Sequence, residues 1–187
     1  PSNHALQICV GNVLQAGAGA LSSRVAQIRA GIPHTVSLST VNRQCSSGLQ
    51  AVAHVAAGIK AGHYAIGIAA GVESMSLNAM GGSGVPAGID PKFVASDREG
   101  AAVLLPMGIT SENVAARYGI SRAEQDAFAA ESHARAHRAQ EEGLFEEEIL
   151  PVRDGGVRAG TTAEKLGGLR AVFKKGGTTT AGNASQV

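Results

Sequence analysis

The sequence has no tryptophan, and aromatic residues make up only 3% of its 187 positions. A core built on large aromatic anchors is therefore excluded. Two cysteines are too few for a disulfide scaffold and point to a reducing, non-secretory setting. An excess of one charge is missing too. Sixteen basic and fifteen acidic residues leave +1, which excludes attachment to nucleic acid or anionic lipid by bulk charge. No apolar run approaches the roughly 18 residues of a membrane-spanning helix, and PSNH at 1–4 lacks the basic flank of a signal peptide. What abounds is small: 25 glycines in a composition that is 44% hydrophobic, enough for a packed core with close backbone approaches. The first residue is not Met and the last six are GNASQV, so the chain is expected to be cut from something longer.

Residues 6–14 (LQICVGNVL), 35–42 (TVSLSTVN) and 64–70 (YAIGIAA) read as strands. Between them, a helix is expected over 24–30, capped by Ser22 or Ser23, and a second over 49–60. The second carries small residues on nearly every face, the mark of a buried helix. This strand–helix alternation predicts an α/β layered core. Residues 78–100 are rich in Gly and polar residues and predict an excursion. A short helix over 110–118 follows. Ser121 and Glu124 then form a capping box before a charged helix reaching about residue 142. A weak helix is expected over 163–169 and one more strand from 178.

Cys45 stands between a strand and the N-terminus of the 49–60 helix. Unpaired backbone amides and the helix dipole there favour negative charge, on the sulfur or on an oxyanion formed by its attack on a carbonyl. The competing reading is a small buried hydrophobe, the reading that suits Cys9 in mid-strand. His133 and His137 lie one turn apart, a spacing that suits a metal, but no third ligand is evident and a solvated helix face explains them. His54 and His63 read as packing and capping residues. Gly17-x-Gly19 and the glycines at 82 and 84 do not complete a dinucleotide loop. Glu146, Glu147 and Glu148 read as a solvated turn. Lys174 and Lys175 could attract phosphates or only solubilise a loop.

VNRQCSSGLQAV at 41–52 resembles the nucleophile segment of the thiolases. GVESMS at 71–76, PMGITSENVA at 106–115, SRAEQD at 121–126 and TAGNAS at 180–185 resemble four further thiolase motifs in the family's order. Within the family, the stretches from Ile8 to Ala20 and from Ser39 to Val52 are similar to the peroxisomal 3-ketoacyl-CoA branch. The resemblance implies a layered αβαβα thiolase core, here incomplete, with an inserted, mostly helical loop domain. The implied division is 1–77 for partial core, 78–173 for the CoA-binding loop domain and 174–187 for a truncated return to the core. The implied activity is acyl transfer in fatty acid β-oxidation: thiolytic cleavage of a 3-ketoacyl-CoA by CoA, giving acetyl-CoA and a shortened acyl-CoA. Cys45 maps to the nucleophile that carries the acyl thioester. Met107 would line the pantetheine tunnel, Arg158 would meet the nucleotide end, and Gly182, Ala184 and Ser185 would contact pantetheine. Lys165 falls near the adenine, where the family usually has a small residue. Coenzyme A is then a substrate, with no separate cofactor and no metal. Acyl-CoA and CoA are the implied partners, with a homodimer in the full-length form and a peroxisomal location.

Three family motifs, G-H-P-x-G, C-x-G-x-G and N-E-A-F, do not occur in these 187 residues. They hold the activating His, the second Cys and a water-positioning Asn. The stretch joining 151–153 to 154–158 is also shorter than in relatives. This chain alone is expected not to turn over, and to be poorly soluble. The alternative reading is a non-catalytic acyl-CoA-binding or interaction module.

Overall fold

Short runs of β-branched and small residues, each followed by a helical segment, build the first half of the molecule. In a computed structural model, residues 6–80, 89–150 and 156–185 are described. Strand β1 (Leu6–Gly11) pairs in parallel with β2 (Ser37–Val41) on one side and β3 (Ile66–Gly71) on the other, giving the order β2-β1-β3. Parallel neighbours require crossovers, which α1 (Ala20–Arg29) and α2 (Ser47–Lys60) supply. Right-handed crossovers to opposite sides of β1 put the two helices on opposite faces of the sheet. Central β1 is accordingly buried at Ile8, Cys9 and Val10.

The core joins Cys9 to Ala51 and Val55, with Val41, Tyr64 and Ala69 around them. Helix α2 meets the sheet through Ser47, Ala51, Val55 and Gly58, one stripe at helical spacing. Its other face is open, with Leu49 73% and Val52 50% exposed and His54 also exposed. The expected all-round burial of this helix, and of His54 within it, is therefore corrected. Only the face against the three strands is covered.

Three local expectations also change. The first strand ends at Gly11 because Asn12 turns inward, its amide donating to Val72 O at 2.6 Å and its Oδ1 accepting from Gln15 N at 3.0 Å. Helix α1 starts earlier, capped by Gly19 at φ 67° after a 3-10 turn over Ala16–Gly19, and not by a serine. Ser22 Oγ donates to Gln15 Oε1 and to Gly19 O instead.

By its contacts the chain divides into two units, residues 1–82 and 83–187. In the second, α3 (Pro91–Ala95) and α4 (Arg98–Val103) precede α5 (Met107–Tyr118), α6 (Arg122–Glu141) and α7 (Ala163–Gly167). Part of the expected excursion, residues 81–88, lies outside the described residues, as do 151–155 in the shortened stretch. The capping box is present as read. Ser121 Oγ accepts from Glu124 N at 3.2 Å, and the Glu124 carboxylate accepts from Ser121 N at 2.7 Å. The strand expected from residue 178 does not form among the described residues. The amides that would enter a ladder are taken by the Glu112 carboxylate, from Thr178 N at 2.8 Å and Thr179 N at 2.7 Å. Residues 174–185 thus pack with the helices of the second unit. Among the described residues no helix is long and apolar enough to cross a membrane.

Candidate active site

The link from β2 to α2 carries Cys45, and it is held almost wholly by its own hydrogen bonds. Asn42 Oδ1 accepts from Gln44 N at 3.0 Å, Ser47 Oγ accepts from Arg43 N at 2.9 Å, and Ser47 Oγ donates to Gln44 O at 2.6 Å. Ser46 Oγ donates to Arg43 O at 2.8 Å. Gln44 sits at φ 51°, a left-handed conformation that costs a non-glycine residue about 1–3 kcal/mol and persists where the surroundings over-determine it. Next to it, Cys45 is exposed, while Cys9 is buried in the core. The first turn of α2 follows immediately. Its amides at Gly48 and Leu49 have no acceptor among the described residues, so that end of the helix favours negative charge developing beside it.

The seat of this turn requires glycine at position 11 and lies in van der Waals reach of Gly71. A methyl at Gly11 would stand 2.5 Å from Ser47 C, and one at Gly71 would stand 3.4 Å from Gly48 Cα. These glycines are register partners on β1 and β3. The head of α2 therefore lies directly on the strand backbones. Beyond the strand ends, Glu73 accepts from Val13 N at 2.9 Å, Leu14 N at 3.2 Å and Asn12 Nδ2 at 3.3 Å. Glu73 falls within GVESMS at 71–76, and nothing local in that stretch, beyond a carboxylate immediately after a strand, marks it as the acceptor of these amides.

The other candidate residues all lie in the second unit. Met107 opens α5 and is exposed, one turn before Ser111 and Glu112. Glu112 is nearly fully buried, and burial pushes its carboxyl up. Hydrogen bonds from the Thr179 and Thr178 amides, then from their hydroxyls, outweigh that and hold it below its ordinary value of 4.5. Asn183 locks the following turn. Its Oδ1 accepts from Thr180 N at 2.7 Å, and its Nδ2 donates to Asp126 Oδ1 and to Thr178 O, both at 2.9 Å. Asp126, also buried, accepts from Arg122 Nε at 2.7 Å, and Arg122 reaches on to Leu166 O and Leu169 O. Gly182 packs against the Leu166 and Leu169 side chains, whose terminal methyls a Cβ there would push aside. Ala184 and Ser185 follow it on the exposed side of this turn.

Arg158 and Lys165 are neighbours through one loop. Lys165 Nζ donates to Gly160 O at 2.6 Å, and Arg158 N donates to His133 Nδ1 at 3.4 Å. Arg158 lines a cavity of about 360 Å³ with His133, His137, Arg138, Glu141 and Thr161. The two imidazoles thus face a mainly basic hollow. Among the described residues no three His, Cys, Asp or Glu side chains are grouped to hold a metal. Met107, the Gly182–Ser185 turn, Arg158 and Lys165 lie in one unit, where Glu112 of α5 bonds Thr178 and Thr179 ahead of the turn and Lys165 bonds the loop after Arg158, while Cys45 belongs to the other.

Residues 2–187 match the family described as Thiolase, N-terminal domain. The chain is 54% identical over 198 residues to the peroxisomal 3-ketoacyl-CoA thiolase of Homo sapiens, covering 96% of this chain and 46% of that protein. To the peroxisomal 3-ketoacyl-CoA thiolase of Saccharomyces cerevisiae it is 48% identical over 192 residues, covering 97% and 46%. Among solved structures, the dimeric peroxisomal thiolase of Saccharomyces cerevisiae superposes with a TM-score of 0.86 at 44% identity, covering 99% of this chain and 49% of that one. The acetyl-CoA acetyltransferase of Bacillus anthracis gives 0.76 at 34% identity, covering 98% and 52%. The chain spans about half the length of these relatives. With its five motifs, its parallel sheet and the cysteine at the head of α2, it belongs to the thiolase family and carries that family's N-terminal domain.

Proposed function

We propose that this chain supplies the nucleophile and part of the CoA platform of a 3-ketoacyl-CoA thiolase. The observation that carries the reading is the exposed Cys45, held in a self-bonded turn at the head of α2 within VNRQCSSG. Its sulfur attacks the 3-keto carbon of the substrate, where the α2 amides favour the oxyanion. The C2–C3 bond breaks, the two-carbon fragment takes up a proton and leaves as acetyl-CoA, and the rest stays on Cys45 as a thioester. The thiol of a second CoA then attacks that thioester, giving the shortened acyl-CoA and restoring Cys45. Acid–base groups for the proton steps fall in the family's G-H-P-x-G and C-x-G-x-G motifs, which this sequence does not contain.

Met107, Gly182, Ala184 and Ser185 are the proposed pantetheine contacts, with Arg158 and Lys165 toward the nucleotide. Coenzyme A is substrate here, with no further cofactor. The names of the peroxisomal relatives support a peroxisomal β-oxidation role, and the dimeric yeast structure supports a homodimer of the full-length protein. The second reading is a module that binds acyl-CoA without turnover.

Incubating the full-length protein with acetyl-CoA and mapping peptides by mass spectrometry tests the proposal. Acetyl on the Cys45 peptide, absent from Cys45→Ser, is expected. An unmodified Cys45 with acyl-CoA still bound favours the module instead.

A further inference from the structure

We infer that Glu73 is a positioning residue for the nucleophile turn, acting on Cys45 through the 12–15 loop and Asn42. This rests on the reading of Cys45 as nucleophile. At the sheet's C-terminal edge the ladders run out in order: Val72 N donates to Gly11 O at 3.0 Å, and Asn12 N to Val41 O at 3.1 Å. Past them, the amides of Val13 and Leu14 have no strand to pair with. Glu73 Oε2 accepts both, at 2.9 and 3.2 Å, while Oε1 takes Asn12 Nδ2 at 3.3 Å. Unpaired amides would otherwise let this loop move. Fixing it fixes Val13 O, which accepts from Asn42 Nδ2 at 3.1 Å. Asn42 in turn spends its Oδ1 on Gln44 N, the residue held at φ 51° immediately before Cys45. The carboxylate at the end of β3 is therefore connected by three hydrogen bonds in series to the left-handed residue that aims the sulfur.

A left-handed Gln44 needs such over-determination to persist. Gln44 O is held within the turn by Ser47 N at 3.0 Å and Ser47 Oγ at 2.6 Å, and the Asn42 bond to Gln44 N ties the residue to the loop that Glu73 fixes. A misplaced nucleophile slows chemistry more than it weakens binding.

The test compares wild type, Glu73→Ala, Glu73→Gln and Cys45→Ser in the full-length protein. Steady-state turnover is measured, and so is iodoacetamide labelling of Cys45 and Cys9, resolved by peptide at one fixed pH. Buried Cys9 reports folding. Glu73→Ala is expected to lower kcat and Cys45 labelling on the order of ten-fold, with KM within about two-fold and Cys9 still protected. Glu73→Gln should recover most of both, because its side-chain oxygen still accepts the Val13 and Leu14 amides. Unchanged kcat and labelling in Glu73→Ala overturn the proposal. So does loss of Cys9 protection in both Glu73 variants, which would make Glu73 a staple of the fold alone. Turnover retained by Cys45→Ser instead refutes the nucleophile reading, leaving the labelling result to speak for the turn.

Discussion

Gly11 and Ser47 touch backbone to backbone: a Cβ on Gly11 would stand 2.5 Å from Ser47 C and 2.6 Å from Gly48 N. The last residue of the central strand thus sets how deeply the nucleophile helix sits. Neither atom belongs to a flexible side chain, so an added methyl must displace the helix head or the strand. Gly11→Ala is expected to cost about 1–3 kcal/mol of stability, the usual range for overpacking, and to reduce Cys45 reactivity. Chemical denaturation of the full-length variant with labelling of Cys45 checks both. A variant of wild-type stability and reactivity would mean that the contact relaxes freely.

Glu112 gives a pH prediction with a definite sign. Its carboxyl is held below its ordinary value in the folded state, so the unfolded chain binds the proton more readily. Its contribution is complete above that ordinary value of 4.5 and fades as pH falls through the lower folded value. Glu124, held low by Ser121, and Glu131, held low by Arg135, titrate in the same direction, so a difference measurement is needed. Wild type should lose more melting temperature between about pH 5 and pH 3 than Glu112→Gln does. Parallel losses would show that Glu112 is not linked to folding.

Asn183 closes the turn that carries the proposed pantetheine contacts. Asn183→Ala leaves Asp126 Oδ1 and Thr180 N without these partners. The expected cost is about 1–3 kcal/mol for polar groups left unsatisfied, with a weaker affinity for CoA as Gly182, Ala184 and Ser185 lose their anchor. Calorimetric titration of the full-length protein with CoA, beside its unfolding curve, measures both. Unchanged CoA affinity would remove this turn from the binding surface.

Much of the fold was legible because its cues are local. Three β-rich runs separated by helical segments became three parallel strands with two crossover helices, and Ser121 with Glu124 capped α6 at the expected residue. Cys45 at a helix head was likewise readable, since strand, turn and helix follow one another within ten residues. The 178–185 segment was misread because its β-rich character is local, while the carboxylate that captures its amides lies 66 residues earlier. The same holds for α2. Its small residues suit burial on any face, and only the position of β1 and β3 decides that Ala51 is covered and Val52 is not.

By itself, then, the sequence determined the family, the element order and the nucleophile's place, because motifs, periodicity and caps act over a few residues. Tertiary structure alone decided which face of α2 is covered, why Gly11 must be glycine, and what Glu73 and Glu112 hold. These meetings join groups far apart in the chain, 36 positions for Gly11 and Ser47, 59 to 61 for Glu73 and its donors and 66 to 67 for Glu112 and its donors, and no local pattern encodes them.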